Sequence, residues 1–273
     1  MSAEVHATSA TVEADRDRRI PFGVVRDTLA VAKRNLIAYV RVPQLLVFST
    51  IQPVIFVLMF RYVFGGAIGG QAGVPYVDYL MPGIFVQTVV FGAIATAIGL
   101  ATDMKTGLME RFHALPMARS AVLTGRTLAD LMRNVLVVIL MMVVGFLVGW
   151  RIHTDVLGLL GAAFLVLAFG FAMSWIFATV GLAVGDPETA QAASFPVLAP
   201  LVFASTAFVP LETMPSWLQV FAEHQPVSAT ATAVRALTIG GPAASHVTQA
   251  LAWDAGILLV FGALAIRLYR RAV

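Results

Sequence analysis

Residues 156–185 read VLGLLGAAFLVLAFGFAMSWIFATVGLAVG, thirty positions in a row without a charge. A helix rises 1.5 Å per residue, so roughly 20 residues cross the hydrocarbon of a bilayer, where no water is available to satisfy a free backbone amide. The stretch is therefore predicted to be a transmembrane helix. Outward from it, uncharged runs recur at 42–60, 79–102, 134–150 and 189–211, and a further run at 250–266 is interrupted only by Asp254. The whole chain agrees: of 273 residues 59% are hydrophobic and 12% charged, with a mean hydropathy of +0.86, where a soluble domain is roughly 25% charged. These runs predict an all-α polytopic membrane protein whose six transmembrane helices lie at about 42–62, 79–101, 133–151, 157–184, 189–210 and 250–268.

The basic residues orient these spans, because cytoplasmic loops retain Lys and Arg. Arg16, Arg18, Arg19, Arg26, Lys33, Arg34 and Arg41 precede the first span; Lys105, Arg111, Arg119, Arg126 and Arg133 lie between the second and third; Arg267, Arg270 and Arg271 follow the sixth. Only Arg61, Arg151 and Arg235 fall on the other side, which places both termini in the cytoplasm. Arginine outnumbers lysine heavily, as in GC-rich bacteria, so the expected location is a bacterial plasma membrane. The net charge of +3 is accounted for by this topology rather than by a nucleic-acid partner. No cysteine is present, which excludes disulfides and thiolate chemistry.

Residues 1–20 are expected to be a disordered cytoplasmic tail, and 21–273 the transmembrane domain. Over 22–41, Phe22, Val25, Leu29, Ala32, Leu36 and Tyr39 recur at helical spacing, predicting an interfacial helix that Pro21 opens. Pro43 suits the first turn of span one, and Pro53 predicts a kink within it. Asp186-Pro187-Glu188 reads as the N-cap, first-turn proline and first-turn acid of span five. Before span six, Met214, Trp217, Leu218 and Phe221 make two amphipathic turns and Pro226 restarts the chain, which predicts two short re-entrant helices at the outer interface. The residues of this segment singled out are Met214, Pro215, Trp217, Pro226 and Arg235.

Catalytic chemistry finds little support. Asp254, near the outer end of span six, reads as a solvated or paired interfacial carboxylate rather than a proton relay. His6, His113, His153, His224 and His246 are scattered over separate segments, so no metal site is expected. Asp78 and Asp186 fall on opposite faces of the membrane and cannot share a proton. Neither Lys33 nor Lys105 follows a glycine, so no P-loop is present and any ATP must be bound by another chain. Gln52, Gln87, Thr88, Ser205 and Thr206 are the neutral polar groups within the spans; they are candidates for a translocation path, or for hydrogen bonds between helices.

The loop after span two holds the most information. From Asp103 it reads Asp-x-Lys-x-Gly-x-x-Glu-Arg-Phe-x-x-Leu-Pro to Pro116, then Gly125-Arg126-x-x-x-Asp130. Met104, Leu108 and Leu115 share one helical stripe while Asp103, Thr106, Glu110 and His113 share another, predicting an amphipathic helix that Pro116 stops. The pattern resembles the membrane subunits of type-2 ATP-binding-cassette exporters, in particular the daunorubicin and doxorubicin exporter permease group. Thr213-Met214-Pro215-x-Trp217-Leu218-Gln219, Gln225-Pro226-Val227 and Arg235-Ala236-Leu237 resemble that group's outer segment.

The resemblance implies that Asp103, Met104, Lys105, Gly107, Leu108, Glu110, Arg111, Phe112, Leu115 and Pro116 belong to a coupling helix docking on a cytoplasmic ATP-binding subunit. It further implies that 22–41 is a connecting helix, that ATP and Mg²⁺ sit on that partner, and that a second permease copy or paralogue completes a dimer in membrane lipid. The cargo implied is an apolar or amphipathic drug, secondary metabolite or lipid. The residues alone leave open a glycan, lipid-linked polymer or ion exporter, or a stand-alone secondary transporter or membrane enzyme.

Overall fold

A computed structural model describes residues 21–41, 43–65, 74–108 and 119–272, and all its regular elements are helical. They are α1 (Pro21–Arg41), α2 (Pro43–Leu58, continued by a π-helical stretch Met59–Phe64), α3 (Tyr76–Lys105), α4 (Arg119–Val148), α5 (Val156–Val184), α6 (Pro187–Phe203), a 3₁₀ turn at Leu211–Thr213, α7 (Ser216–Glu223), α8 (Pro226–Ile239) and α9 (Ala243–Ala272). Among the described residues, four helices are long and apolar enough to cross a membrane: Tyr76–Lys105, Leu123–Val148, Val156–Val184 and Ala243–Arg271. Large apolar side chains such as Leu147, Leu157, Phe164 and Leu259 remain exposed along them, a surface that fits hydrocarbon rather than water. The chain is a multi-pass helical membrane protein.

The helix ends follow from their sequences. Asp155 accepts from Gly158 N at 2.8 Å and caps α5. Asp186 accepts from Thr189 N at 3.0 Å and, with Pro187 in the first turn, opens α6 as its sequence predicts. Gln225 caps α8 ahead of Pro226. Of the helices that match the six predicted spans, α2 and α6 are shorter than the roughly 20 residues a straight crossing takes. In α2, with 16 residues, the π-helical stretch adds six more; α6, with 17, stops at Phe203 although its apolar run continues to Leu211. Pro196 and Pro200 each remove an N–H from the second half of α6, weakening it where it ends.

α3 lies at the centre, antiparallel to α4, with Gly92 and Gly99 facing Arg133 and Arg126, parallel to α5, with Val89 and Ala97 facing Gly170 and Gly181, and flanked by α6. α9 packs on the other side of α5, α8 fills the corner between α3, α5 and α9, and α1 lies across the start of α4. One core cluster, with Met81, Phe85, Phe169 and Phe177 among its members, runs through the bundle. The end bearing α1 and the start of α4 is here the basic end. On α1 the buried residues are Thr28, Val31, Ala32 and Asn35, while Val25 is 57% and Leu29 55% exposed. The predicted apolar stripe is thus offset from the packed face, because Gly125 of α4 lets the backbone at Thr28 and the side chain of Val31 approach closely.

Asp254 departs from expectation. Instead of a solvated or paired interfacial group it is 4% exposed, on the α9 stripe with Ala250, Ile257 and Ala265, and among the described residues neither carboxyl oxygen has a hydrogen-bond partner. The helical spacing that carries the apolar residues of α9 inward carries position 254 with them. Unpaired carboxyl oxygens in an apolar contact cost free energy. Asp254→Asn, the same shape without the charge, is expected to raise the thermal midpoint of the detergent-solubilised chain at pH 8, by stability on the order of 1–3 kcal/mol. A lowered midpoint would show that the carboxylate is held by a partner in the assembled protein.

Candidate functional site

The segment that carries the strongest motif is rooted in a polar brace at the basic end. Asp103, in the last turn of α3, accepts from Arg34 Nη2 of α1 at 3.2 Å and lies 3.5 Å from Arg126 Nη1 of α4. Arg126 also donates to Ala95 O at 3.1 Å, and its Nε lies 4.0 Å from Asp130, which accepts from Thr96 Oγ1 at 2.6 Å. Arg133, one heptad beyond Arg126, donates to Gly92 O at 2.7 Å. A Cβ on Gly99 or Gly92 would strike these guanidinium groups, so two glycines seven apart on α3 make room for two arginines seven apart on the antiparallel α4. Asp130 is fully buried and Asp103 and Arg133 nearly so, which strengthens their interactions relative to those of a surface pair.

A second, exposed tie joins α3 to α6: Lys105 Nζ donates to Asp186 Oδ1 at 2.7 Å. The Lys105 hydrogen bond, with those from Thr189, holds the Asp186 carboxyl down to about 2, below its usual range. Because that value is depressed, the tie is present above the ordinary carboxylate range and is lost as pH falls toward 2. α1, α3, α4 and α6 therefore meet around the point where the chain leaves α3.

Asp103, Met104 and Lys105 close α3 rather than opening a separate helix. Thr106 and Gly107 form a turn, with Gly107 at φ 66°, a left-handed conformation that glycine adopts without strain. Leu108 follows; Glu110, Arg111, Phe112, Leu115 and Pro116 lie outside the described residues. Arg126 and Arg133, expected in the loop, are inside α4, which begins at Arg119.

At the opposite end, residues 204–210 connect α6 to the short helices, and side chains satisfy their backbone. Arg235 Nη2 donates to Thr206 O at 2.6 Å and to Ala207 O at 3.0 Å, its Nε donates to Tyr79 O at 2.9 Å, and its guanidinium lies over the Tyr79 ring at 3.7 Å. Tyr76 Oη donates to Phe208 O and Tyr79 Oη to Thr206 O, both at 3.0 Å. Gln225 Nε2 donates to Leu201 O at 3.0 Å, and Thr206 N donates to Ser228 Oγ at 3.0 Å. Met214 is buried and Pro226 heads α8, whereas Trp217 on α7 is exposed; Pro215 precedes that helix. Asp78 also lies at this end, with Oδ2 2.8 Å from His153 Nε2, far from Asp186.

The five neutral polar candidates do not come together. Gln52 is exposed on α2, Gln87 is buried on α3, and Thr88 spends its hydroxyl on Ile84 O at 2.7 Å. Ser205 donates to Val202 O at 2.6 Å, and it and Thr206 sit in the 204–210 connection.

A bundle of apolar helices with polar ties at its two ends defines the class as a multi-pass helical membrane protein. The model of the ABC-2 type transporter family matches residues 26–239, and the chain belongs to that family. It is 38% identical over 246 residues to the daunorubicin resistance ABC transporter permease protein DrrB1 of Streptomyces coeruleorubidus, covering 90% of this chain and 87% of the relative. It is 31% identical over 197 residues to the doxorubicin resistance ABC transporter permease protein DrrB of Mycobacterium tuberculosis, covering 68% of this chain and 66% of the relative. It is a permease, a transport component that works with an ATP-binding partner subunit.

Proposed function

We propose that this permease is the membrane-spanning subunit of an ATP-driven exporter whose cargo is a hydrophobic or amphipathic drug, secondary metabolite or lipid. It crosses a bacterial plasma membrane six times through α2, α3, α4, α5, α6 and α9, with both termini and the basic end in the cytoplasm and residues 1–20 as a tail. A separate cytoplasmic subunit binds ATP and Mg²⁺, and a second copy or paralogue completes a dimer within the lipid. The alternating directions of α3, α4 and α5 and the concentration of Arg and Lys at one end support the topology. The resistance proteins among the relatives support the drug class.

The observation that carries the mechanism is the brace around Asp103. In this proposal, residues 103–116 dock on the ATPase: Met104, Leu108 and Phe112 seat in a cleft, while Glu110 and Arg111 fix orientation. Closure of the ATPase pushes this segment, and Asp103, Arg34 and Arg126 pass the displacement to α1, α3 and α4 as one body. Glu110→Ala or Arg111→Ala, reconstituted with the ATPase in vesicles, is expected to lower ATP-dependent export by about tenfold while membrane insertion is intact. Wild-type export by both variants would sink the docking assignment.

A further inference from the structure

The offset between the apolar stripe of α1 and its packed face leaves a groove. Its walls are Leu29, Ala32, Leu36 and Ile37 of α1 with Leu128 and Met132 of α4, and its volume is about 660 Å³, within the roughly 300–1,000 Å³ of small-molecule sites. Among the described residues of the lining, Lys33 is the only charged side chain. Among the described residues Lys33 has no hydrogen bond or ion pair, whereas its neighbour Arg34 is engaged with Asp103. Arg26 is also exposed, seven residues back on the same side of the helix and so about 10 Å along the axis.

We infer that this groove is a binding site for one anionic phospholipid of the cytoplasmic leaflet, with an acyl chain between α1 and α4 and the headgroup phosphate on Lys33. The inference rests on the cytoplasmic placement of the basic end proposed above. Two features select this occupant. The walls are aliphatic and, apart from Lys33, uncharged, so they satisfy an alkyl chain and give a docked peptide almost nothing to hydrogen-bond. The cation adjoins Arg34, which is tied to Asp103 at the basic end, the end assigned above to the cytoplasmic headgroup level, and Arg26 adds to the positive field. A bound lipid fills the gap beside the brace, so it would stiffen α1 against α4 at the point where a push from the partner arrives.

The test is native mass spectrometry of the full chain in mild detergent with phosphatidylglycerol or phosphatidylcholine of identical acyl chains. One phosphatidylglycerol is expected to be retained in preference to phosphatidylcholine, and Lys33→Glu is expected to reduce that preference roughly tenfold. Met132→Trp, at a half-exposed position on the groove wall, is expected to fill the groove and abolish retention of either lipid. Glycerol phosphate, which has the headgroup chemistry without the chain, should not compete. Equal retention of the two lipids, an unaltered preference in Lys33→Glu, or displacement by glycerol phosphate or by a neutral detergent at equal concentration would overturn the assignment. Lipid retention is read without ATPase or transport, so its failure leaves the proposed export function standing, and failure of that function appears only in the vesicle assay.

Discussion

Arg235→Leu is expected to destabilise the chain severely and abolish export while leaving insertion of the apolar helices unaffected. α6 ends at Phe203, short of its apolar run, and residues 204–210 turn within surroundings that offer few hydrogen-bond donors. Arg235, 9% exposed, supplies the donors that Thr206 O and Ala207 O accept, and binds Tyr79 O on the central helix. Each carbonyl left bare in a buried position costs roughly 1–3 kcal/mol, and the stacking on Tyr79 is lost as well. Arg235→Lys should recover only a minor part, since one ammonium cannot reproduce a planar fork that reaches three carbonyls from two nitrogens. Thermal unfolding in detergent and protease access to 204–225 measure the effect. A wild-type midpoint for Arg235→Leu would mean that Tyr76, Tyr79 and Gln225 hold the connection without it.

How far the sequence discloses this architecture depends on the range of the interaction concerned. Helix identity is local, because an uncharged run in lipid has only the helix to satisfy its amides, and starts such as Pro21, Pro43, Asp186-Pro187 and Pro226 are local too. The brace is not. That Asp103 meets Arg34 and Arg126 depends on the register of three helices, and the clue, glycines at 92 and 99 against arginines at 126 and 133, is spread over two of them. Charge counting assigns Arg126 and Arg133 to a loop, since a guanidinium looks too costly inside a helix bundle. The structure resolves that cost by facing them with glycine and backbone carbonyls. The same limit applies to Asp254 and Arg235, whose residue types mark them as unusual but whose surroundings come from other elements: Arg235 reaches Tyr79 on α3 and Thr206 and Ala207 beyond α6, and α9 packs on α5 and α8. The shortness of α2 and α6 reflects proline and π-helical detail that hydropathy does not register.

Gly83→Val is expected to prevent the chain from reaching its native packing at all. A Cβ at Gly83 would collide with Ala207 O and with the carbonyl carbon and Cα of the same residue, all backbone atoms. A flexible side chain could swing aside from such a contact, but this backbone is held from the other side by Arg235 at 3.0 Å. Relief would require the whole 204–210 connection to move off α3, breaking the Tyr76, Tyr79 and Arg235 hydrogen bonds together. Overpacking typically costs about 1–3 kcal/mol where neighbours can shift, and more where they cannot. Even Gly83→Ala should lower the midpoint clearly. Gly256→Ala is the control, because Gly256 lies within α9 with nothing within 4 Å of its built Cβ, and losing a helix-interior glycine is worth up to about 1 kcal/mol of added stability. Size-exclusion profiles and thermal midpoints of the three variants separate the outcomes. A monodisperse Gly83→Val with a wild-type midpoint would show that 204–210 is not pinned to α3. Gly83→Ala and Arg235→Leu act on the same carbonyl, so their combined cost should fall well below the sum of the two. A simple sum would mean that α3 and Arg235 hold the connection independently.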